Sequence, residues 1–252
     1  LYKILANTLF LGKKVIYMPS CHSTNDIALE MIRNTDIGEG TVIITDHQIN
    51  GRGQRGNSWL ASPGENITMS LVLKPKFLEA SQQYFLNMGV SLGVLKTVND
   101  TLGEDKGMIK WPNDILIDKH KVAGVLIENV LVGKKIDHSI VGIGLNVNQL
   151  NFSGIKATSL RDNLGRRLEL KNILESLVEN IEAFYLKLKA HKTSEIKGEY
   201  LRYLLGYKTK LRFKSEFEFD GIIENVTDSG LLSVLVNGET KEFNFQEIGF
   251  IL

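Results

Sequence analysis

Between residues 107 and 147 the chain breaks into short apolar runs parted by turn residues. "GMIK" leads into "WPND", then "ILID", "KHK", "VAGVLIENV", "VGKK" and "IDHSIVGIGLNV". Short strands joined by tight turns pair with their neighbours, so this stretch predicts an antiparallel meander. Upstream, "KVIYM" (14–18) and the continuous apolar run "TVIIT" (41–45) read as strands, and "NITMSLVL" (66–73) alternates as a half-buried strand does. Ser23 or Thr24 is placed to cap a helix with Ile27, Ala28, Met31 and Ile32 on one face. Residues 81–103 predict a long helix with Phe85, Met88, Leu92 and Leu95 on one face, stopped at Gly103. Helical spacing returns across 158–205 in Leu174, Leu177, Ile181, Phe184 and Leu188. After Gly206, "DG", "DSG" and "NG" turn signals break the tail into strands short enough for a small β-barrel. The expectation is an α+β fold: a mixed, mainly antiparallel sheet with helices over 1–205, and a small C-terminal β-barrel over 206–252.

Of 252 residues, 43% are hydrophobic and 23% charged, enough for a sizeable core. A net charge of +1 argues against a broad nucleic-acid-binding face, which is strongly basic. One cysteine, Cys21, leaves no internal disulfide and fits a reducing, cytoplasmic setting, where it packs rather than reacts. No apolar run is long enough to span a bilayer, and no signal peptide is visible. The five histidines show no metal-ligand spacing, so no metal held by His or Cys is expected.

The chemistry concentrates in "GRGQRGNSW" (51–59), which follows a strand. Gly51, Gly53 and Gly56 let the backbone approach a ligand closely. Arg52 and Arg55 carry donor forks suited to phosphate or carboxylate, and Trp59 offers a flat face. The glycines satisfy G-x-G-x-x-G and the first half of a P-loop, but both motifs need a helix to follow. Pro63 and Gly64 break any helix there, and Asn57 stands where a P-loop has lysine. A kinase lid fails for want of H-R-D and D-F-G. A solvated hairpin loop is the bland alternative. In "IKWPNDIL" (109–116), Lys110 at a strand end beside a rigid turn suits charge stabilisation in phosphoryl chemistry, although strand-end lysines are commonly solvated. Asn113 and Asp114 are also ordinary turn residues. In "GIGLNVN" (142–148) two glycines mark close backbone approach or tight packing, and Asn146 presents an amide at a strand end.

In this order, "STN" (23–25), "HQINGRGQRGNSW" (47–59), "KWPND" (110–114), "KVAGVLIE" (121–128), "GIGLNVN" (142–148) and "GIIENVTDSGLLSV" (221–234) resemble the biotin–protein ligase family. The resemblance implies a class II synthetase-like catalytic core with a small SH3-like C-terminal barrel. It also implies a two-step reaction: biotin and MgATP give biotinyl-5′-AMP and pyrophosphate, and a lysine of a biotin carboxyl carrier domain then takes the biotinyl group. Biotin would lie against Ser23, Thr24, Asn25, Gln48, Gly51, Arg52, Gly53, Gln54, Lys110, Gly124 and Leu126. ATP or the adenylate would meet Arg52, Arg55, Trp59, Lys110, Asn113 and Asn146, the last facing the triphosphate or its Mg2+. Lys110 and Arg52 are the expected catalytic pair, one shared by carboxylate and α-phosphate, the other in a closing loop. The chemistry agrees, because joining two anions needs cations and a mixed anhydride needs water kept out.

Many relatives carry Arg where this chain has Gln54, which leaves no charge at that place in the loop. Some bacterial members carry an N-terminal DNA-binding domain. Only about thirteen residues precede the first strand here, so the form without that domain, and no specific DNA binding, is expected. Exposed meander edges allow a sheet-to-sheet homodimer as well as a monomer. A lipoate–protein ligase-like enzyme and a non-catalytic nucleotide- or vitamin-binding module are the alternatives. The "GRGQRG" loop favours biotin over lipoate, and Lys110 beside the "ND" turn favours catalysis.

Overall fold

The computed structural model describes residue 4, residues 6–56 and residues 58–251. Seven strands form the main sheet: β1 (Val15–Cys21), β2 (Val42–Gln48), β3 (Ile67–Leu73), β4 (Gly107–Lys110), β5 (Asp114–Ile117), β6 (His120–Val132) and β7 (Lys135–Leu145). Their order is β1-β2-β3-β7-β6-β5-β4. Only β1 and β2 run parallel, joined by helix α1 (Thr24–Asn34); every other pairing is antiparallel. The predicted meander is therefore β4 to β7. "KHK", except Lys119 in the preceding turn, and "VAGVLIENV" merge into one strand of 13 residues, and "VGKK" is turn only at Gly133 (φ 61°) and Lys134.

The sheet is covered on both sides. On one side Ile43, Val72 and Ile140 pack on Ala28 of α1. On the other, Val42, Ile44, Met69, Leu71 and Val141 join a large core with the helices α2 (Gln83–Leu102), α3 (Leu160–Leu164), α4 (Leu170–Lys189) and α5 (Thr193–Tyr203). This corrects the reading of β3 as half-buried, since all seven of its residues are buried. Its polar residues are on the α1 side, where the Ser70 hydroxyl lies 2.7 Å from Thr24 Oγ1 and 2.6 Å from Asn25 Oδ1. Alternation there marks two kinds of covered surface rather than core and solvent.

Helix α2 ends as the sequence predicts, at Gly103 in the left-handed region (φ 72°). It is buried on nearly all sides, because the sheet lies under it and α4 and α5 lie over it. A β-carbon on Gly93 would come within 2.8 Å of Ile181 Cα on α4, so the glycine sets how closely the two helices approach. On α4, Leu174, Leu177, Ile181, Phe184 and Leu188 are all buried. The buried carboxylate of Glu182 accepts the backbone N–H groups of Leu9 (2.6 Å), Phe10 (2.8 Å) and Leu11 (2.9 Å), tying the segment before β1 to α4. Among the described residues no helix is long and apolar enough to cross a membrane.

A second, wholly antiparallel sheet contains β8 (Lys210–Lys214), β9 (Glu218–Val226), β10 (Leu232–Val236), β11 (Glu239–Phe243) and β12 (Gly249–Ile251), in the order β11-β10-β9-β8-β12. Among the described residues no β11–β12 pairing closes it into the expected barrel. Phe213, Ile223, Leu232 and Val234 belong to the same apolar core as α2 and the first sheet. The Leu205 N–H donates to Ile109 O of β4 at 2.8 Å, where the chain leaves α5 for the second sheet.

Candidate active site

A small cavity of about 50 Å³ opens on the α1 face of the main sheet. Its floor is made of glycine: Gly124 pairs with Gly144, and Gly142 with Leu126, across β6 and β7. A β-carbon on Gly142 would overlap the Asn25 amide, and one on Gly144 would overlap the Trp59 indole. These glycines are needed because side chains from two other elements rest directly on the strands.

The polar end is built by α1 and the end of β2. Ser23 holds the N-cap position in extended conformation, but its hydroxyl makes no capping bond, and it lines the cavity. The Thr24 N–H donates to Gln48 Oε1 at 2.9 Å, and the Thr24 hydroxyl lies 3.3 Å from the same oxygen. Asn25 donates through Nδ2 to Glu128 Oε2 at 2.7 Å. Thr24 and Gln48 are thus linked directly, and Ser70 joins Thr24 to Asn25, while Ser23 stands beside them in the cavity wall. Cys21, just before them, is packed, and burial pushes its thiol pKa up, which keeps it protonated and unreactive.

The glycine loop crosses the mouth. Trp59 N–H donates to Gly51 O at 2.8 Å, and Arg52 bridges to Ser58, so the loop closes as a narrow hairpin. Gly51 is buried at its base and does not line the cavity; a β-carbon there would strike Trp59 O. The Arg52 guanidinium lies 2.6 Å from Asp26 Oδ1 on α1 and 3.1 Å from Glu128 Oε2 on β6. It fastens the loop to both banks of the cavity. Gln54 begins a short 3-10 turn with Arg55 and Gly56; the Arg55 side chain and residue 57 lie outside the described residues. Trp59 Nε1 is buried with no hydrogen-bond partner.

A second cavity of about 200 Å³ adjoins the first and shares Gly53, Gln54, Trp59, Asn113 and Lys121 with it. Lys110 lines this second cavity and not the first, with Nζ 5.8 Å from the Phe250 ring centroid of the second sheet. Lys121 lines both. Its Nζ lies 2.6 Å from Asp114 Oδ1 and 5.6 Å from the Trp59 ring centroid. Sequence reasoning assigned it no role. Its signal was the start of "KVAGVLIE", where a lysine next to an apolar strand reads as a solvated end. Asn113 is buried: its Nδ2 donates to Val125 O and its carbonyl accepts the Val125 N–H at 3.0 Å, so it pins the β4–β5 turn to β6. Asn146 lines neither cavity. Its Nδ2 donates to Thr158 O at 3.1 Å and Lys121 O at 3.4 Å, its Oδ1 is buried without a partner, and its N–H bonds Val122 O. It holds the backbone on which Lys121 stands. Gly124 and Leu126 line the first cavity with Arg52, Gly53 and Gln54.

The profile of the Biotin/lipoate A/B protein ligase family matches residues 17–146, from β1 to the end of β7. The bifunctional ligase/repressor BirA of Bacillus subtilis (strain 168) is 30% identical over 246 residues, spanning 94% of this chain and 74% of that protein. A biotin--[acetyl-CoA-carboxylase] ligase of Mycobacterium tuberculosis is 29% identical over 225 residues, 86% of this chain and 82% of its own. Among solved structures, the biotin protein ligase from Aquifex aeolicus in complex with biotin and ATP superposes with a TM-score of 0.78 at 27% identity, covering 94% of this chain and 98% of that one. The extent of these matches, over the sheet, the loop and both cavities, establishes that the chain belongs to the biotin/lipoate A/B protein ligase family.

Proposed function

We propose that the protein is a biotin–protein ligase. The observation that carries this reading is the pair of adjoining cavities bridged by Lys121 under the Arg52 loop. A polar end of hydroxyl and amide groups suits the ureido ring of biotin, whose carboxylate then points toward Lys121. In the first step a carboxylate oxygen of biotin attacks the α-phosphorus of ATP. The bond from that phosphorus to the bridging oxygen breaks, and pyrophosphate leaves. Lys121 offsets the charge gathered as two anions meet, and Lys110, in the second cavity alone, helps to hold the phosphates. In the second step the amine of an acceptor lysine attacks the acyl carbon, loses a proton, and AMP leaves. The acceptor is a biotin carboxyl carrier domain, as the names of the ligase relatives support.

Mg2+ would enter with ATP. It binds through one or two carboxylates together with substrate phosphates, retaining waters. Asp114 at the second cavity is an oxygen ligand of that kind, and among the described residues no cluster of three or more His, Cys, Asp or Glu side chains offers a cage instead. When bound, the ion would neutralise phosphate charge. The protein's own part is to orient the two anions and exclude water.

The test is pyrophosphate release from ATP with biotin or lipoate, followed by label transfer to a carrier domain. Release with biotin and not with lipoate is expected. Release with lipoate alone would replace this reading with lipoate ligation.

A further inference from the structure

The turn that carries Asn113 and Asp114 is held from behind by groups with no part in the reaction as described. Tyr84, on the first turn of α2, lies with its hydroxyl 2.9 Å from Pro112 O and 3.0 Å from the hydroxyl of Tyr200 on α5. A carbonyl only accepts, so the single Tyr84 proton goes to Pro112, and Tyr200 donates to Tyr84. Both phenols are buried, and burial holds both neutral. On the other side, Trp111 Nε1 donates to Gly230 O at 3.1 Å, in the turn between β9 and β10. Gly230 has φ 102°, and a β-carbon there would lie 2.5 Å from Tyr84 Cδ2. That turn is itself tied to α5 by the Lys197–Asp228 ion pair at 2.8 Å.

Two hydrogen bonds therefore fix consecutive residues, Trp111 and Pro112, from the second sheet and from α2. The next two residues face the site: Asn113 bonds β6, and Asp114 pairs with Lys121. We propose that Tyr84 is a positioning residue for adenylation, its hydroxyl holding the Pro112 carbonyl so that Asp114 sets the place of Lys121. The inference rests on the proposed ligase reaction. It separates Tyr84 from Tyr200, which bonds the Tyr84 hydroxyl but, among the described residues, makes no hydrogen bond to the turn itself. It also gives the second sheet a defined task at the reaction centre, through Gly230. The biotin end, built by α1 and β2, is not part of this arrangement.

The test uses the full chain and biotin-dependent exchange of labelled pyrophosphate into ATP. Tyr84→Phe keeps the ring against Gly230 and removes only the hydroxyl. Its kcat should fall about tenfold or more, as misplacement of reacting groups requires, while the biotin dissociation constant measured by calorimetry stays that of the parent. Tyr200→Phe breaks the tyrosine pair but leaves the Pro112 donor, and should keep the parental kcat. Parental kcat in both variants, or equal slowing of both in step with their thermal midpoints, would overturn the proposal. Should Tyr84→Phe not fold, Trp111→Phe, which removes the bond to Gly230, carries the test; because Trp111 also lines the second cavity, the KM for ATP is read alongside, and a loss of kcat with unchanged KM and unchanged biotin binding is expected, while a parental kcat or a loss confined to the KM overturns it. A parent chain with no biotin-dependent exchange would instead defeat the ligase reading, on which this inference depends.

Discussion

The indole of Trp59 rests against the backbone of Gly144, so closely that no side chain fits between them. One residue comes from the glycine loop and the other from the central strand of the sheet, and both line the first cavity. Gly144→Ala should push the indole off the sheet and carry the loop with it. Overpacking of this kind costs ~1–3 kcal/mol. We expect a lowered thermal midpoint and weaker biotin binding by calorimetry, with Trp59→Phe partly restoring binding in the double variant. Unchanged binding in Gly144→Ala would show that the contact is incidental.

Lys121 and Lys110 should be distinguishable by kinetics. Lys121 lines both cavities and stands where carboxylate and α-phosphate would meet, so Lys121→Ala should lower the single-turnover adenylation rate on the order of 10²-fold or more. Lys110 lines only the second cavity, so Lys110→Ala should act chiefly through the KM for ATP. The reverse pattern would return the central role to Lys110.

Arg52 is clasped by Asp26 and Glu128, and all three side chains are partly exposed. Each exposed pair is worth only ~0.2–1 kcal/mol and weakens with salt. Asp26→Asn with Glu128→Gln should speed amide exchange across residues 51–56 and shorten the retention of biotinyl-AMP, and added salt should affect the parent more than the double variant. Equal exchange in the two proteins would mean that the loop is held by its backbone alone.

Away from the site, the carboxyl of Asp137 is held below the usual range by the hydrogen bond from Lys76, with His138 adding to the effect. Because the folded-state pKa is depressed, this stabilisation is complete above the unfolded value of about 3.9 and is lost as pH falls through the lower folded value. Asp137→Asn should lower the thermal midpoint at neutral pH and match the parent once both are strongly acidified. A constant difference at every pH would rule out the ion pairs as its source.

The long elements were legible because their apolar spacing has one cause. α4 buries the residues its 3.6-residue period marks, and α2 ends at a glycine able to adopt φ 72°. β3 misled because its alternation separates an apolar core from a polar but equally covered α1 face, a distinction hydrophobicity does not record. The family motifs were legible as ordered patterns. The partners that hold them were not: Arg52 meets Asp26 and Glu128 across separations of 26 and 76 residues, and Lys121 gains its place from Asp114 and Trp59. Such pairings are properties of the folded surface, and no local spacing encodes them.

The three backbone N–H groups gathered on Glu182 place a limit on trimming. A buried carboxylate on α4 is tolerated only while main chain folds around it. Cutting the chain back to Lys14, just before β1, would leave the sheet intact on paper and strand that charge. The smallest fragment able to stand by itself therefore includes Leu9 to Leu11, residues that belong to no strand or helix.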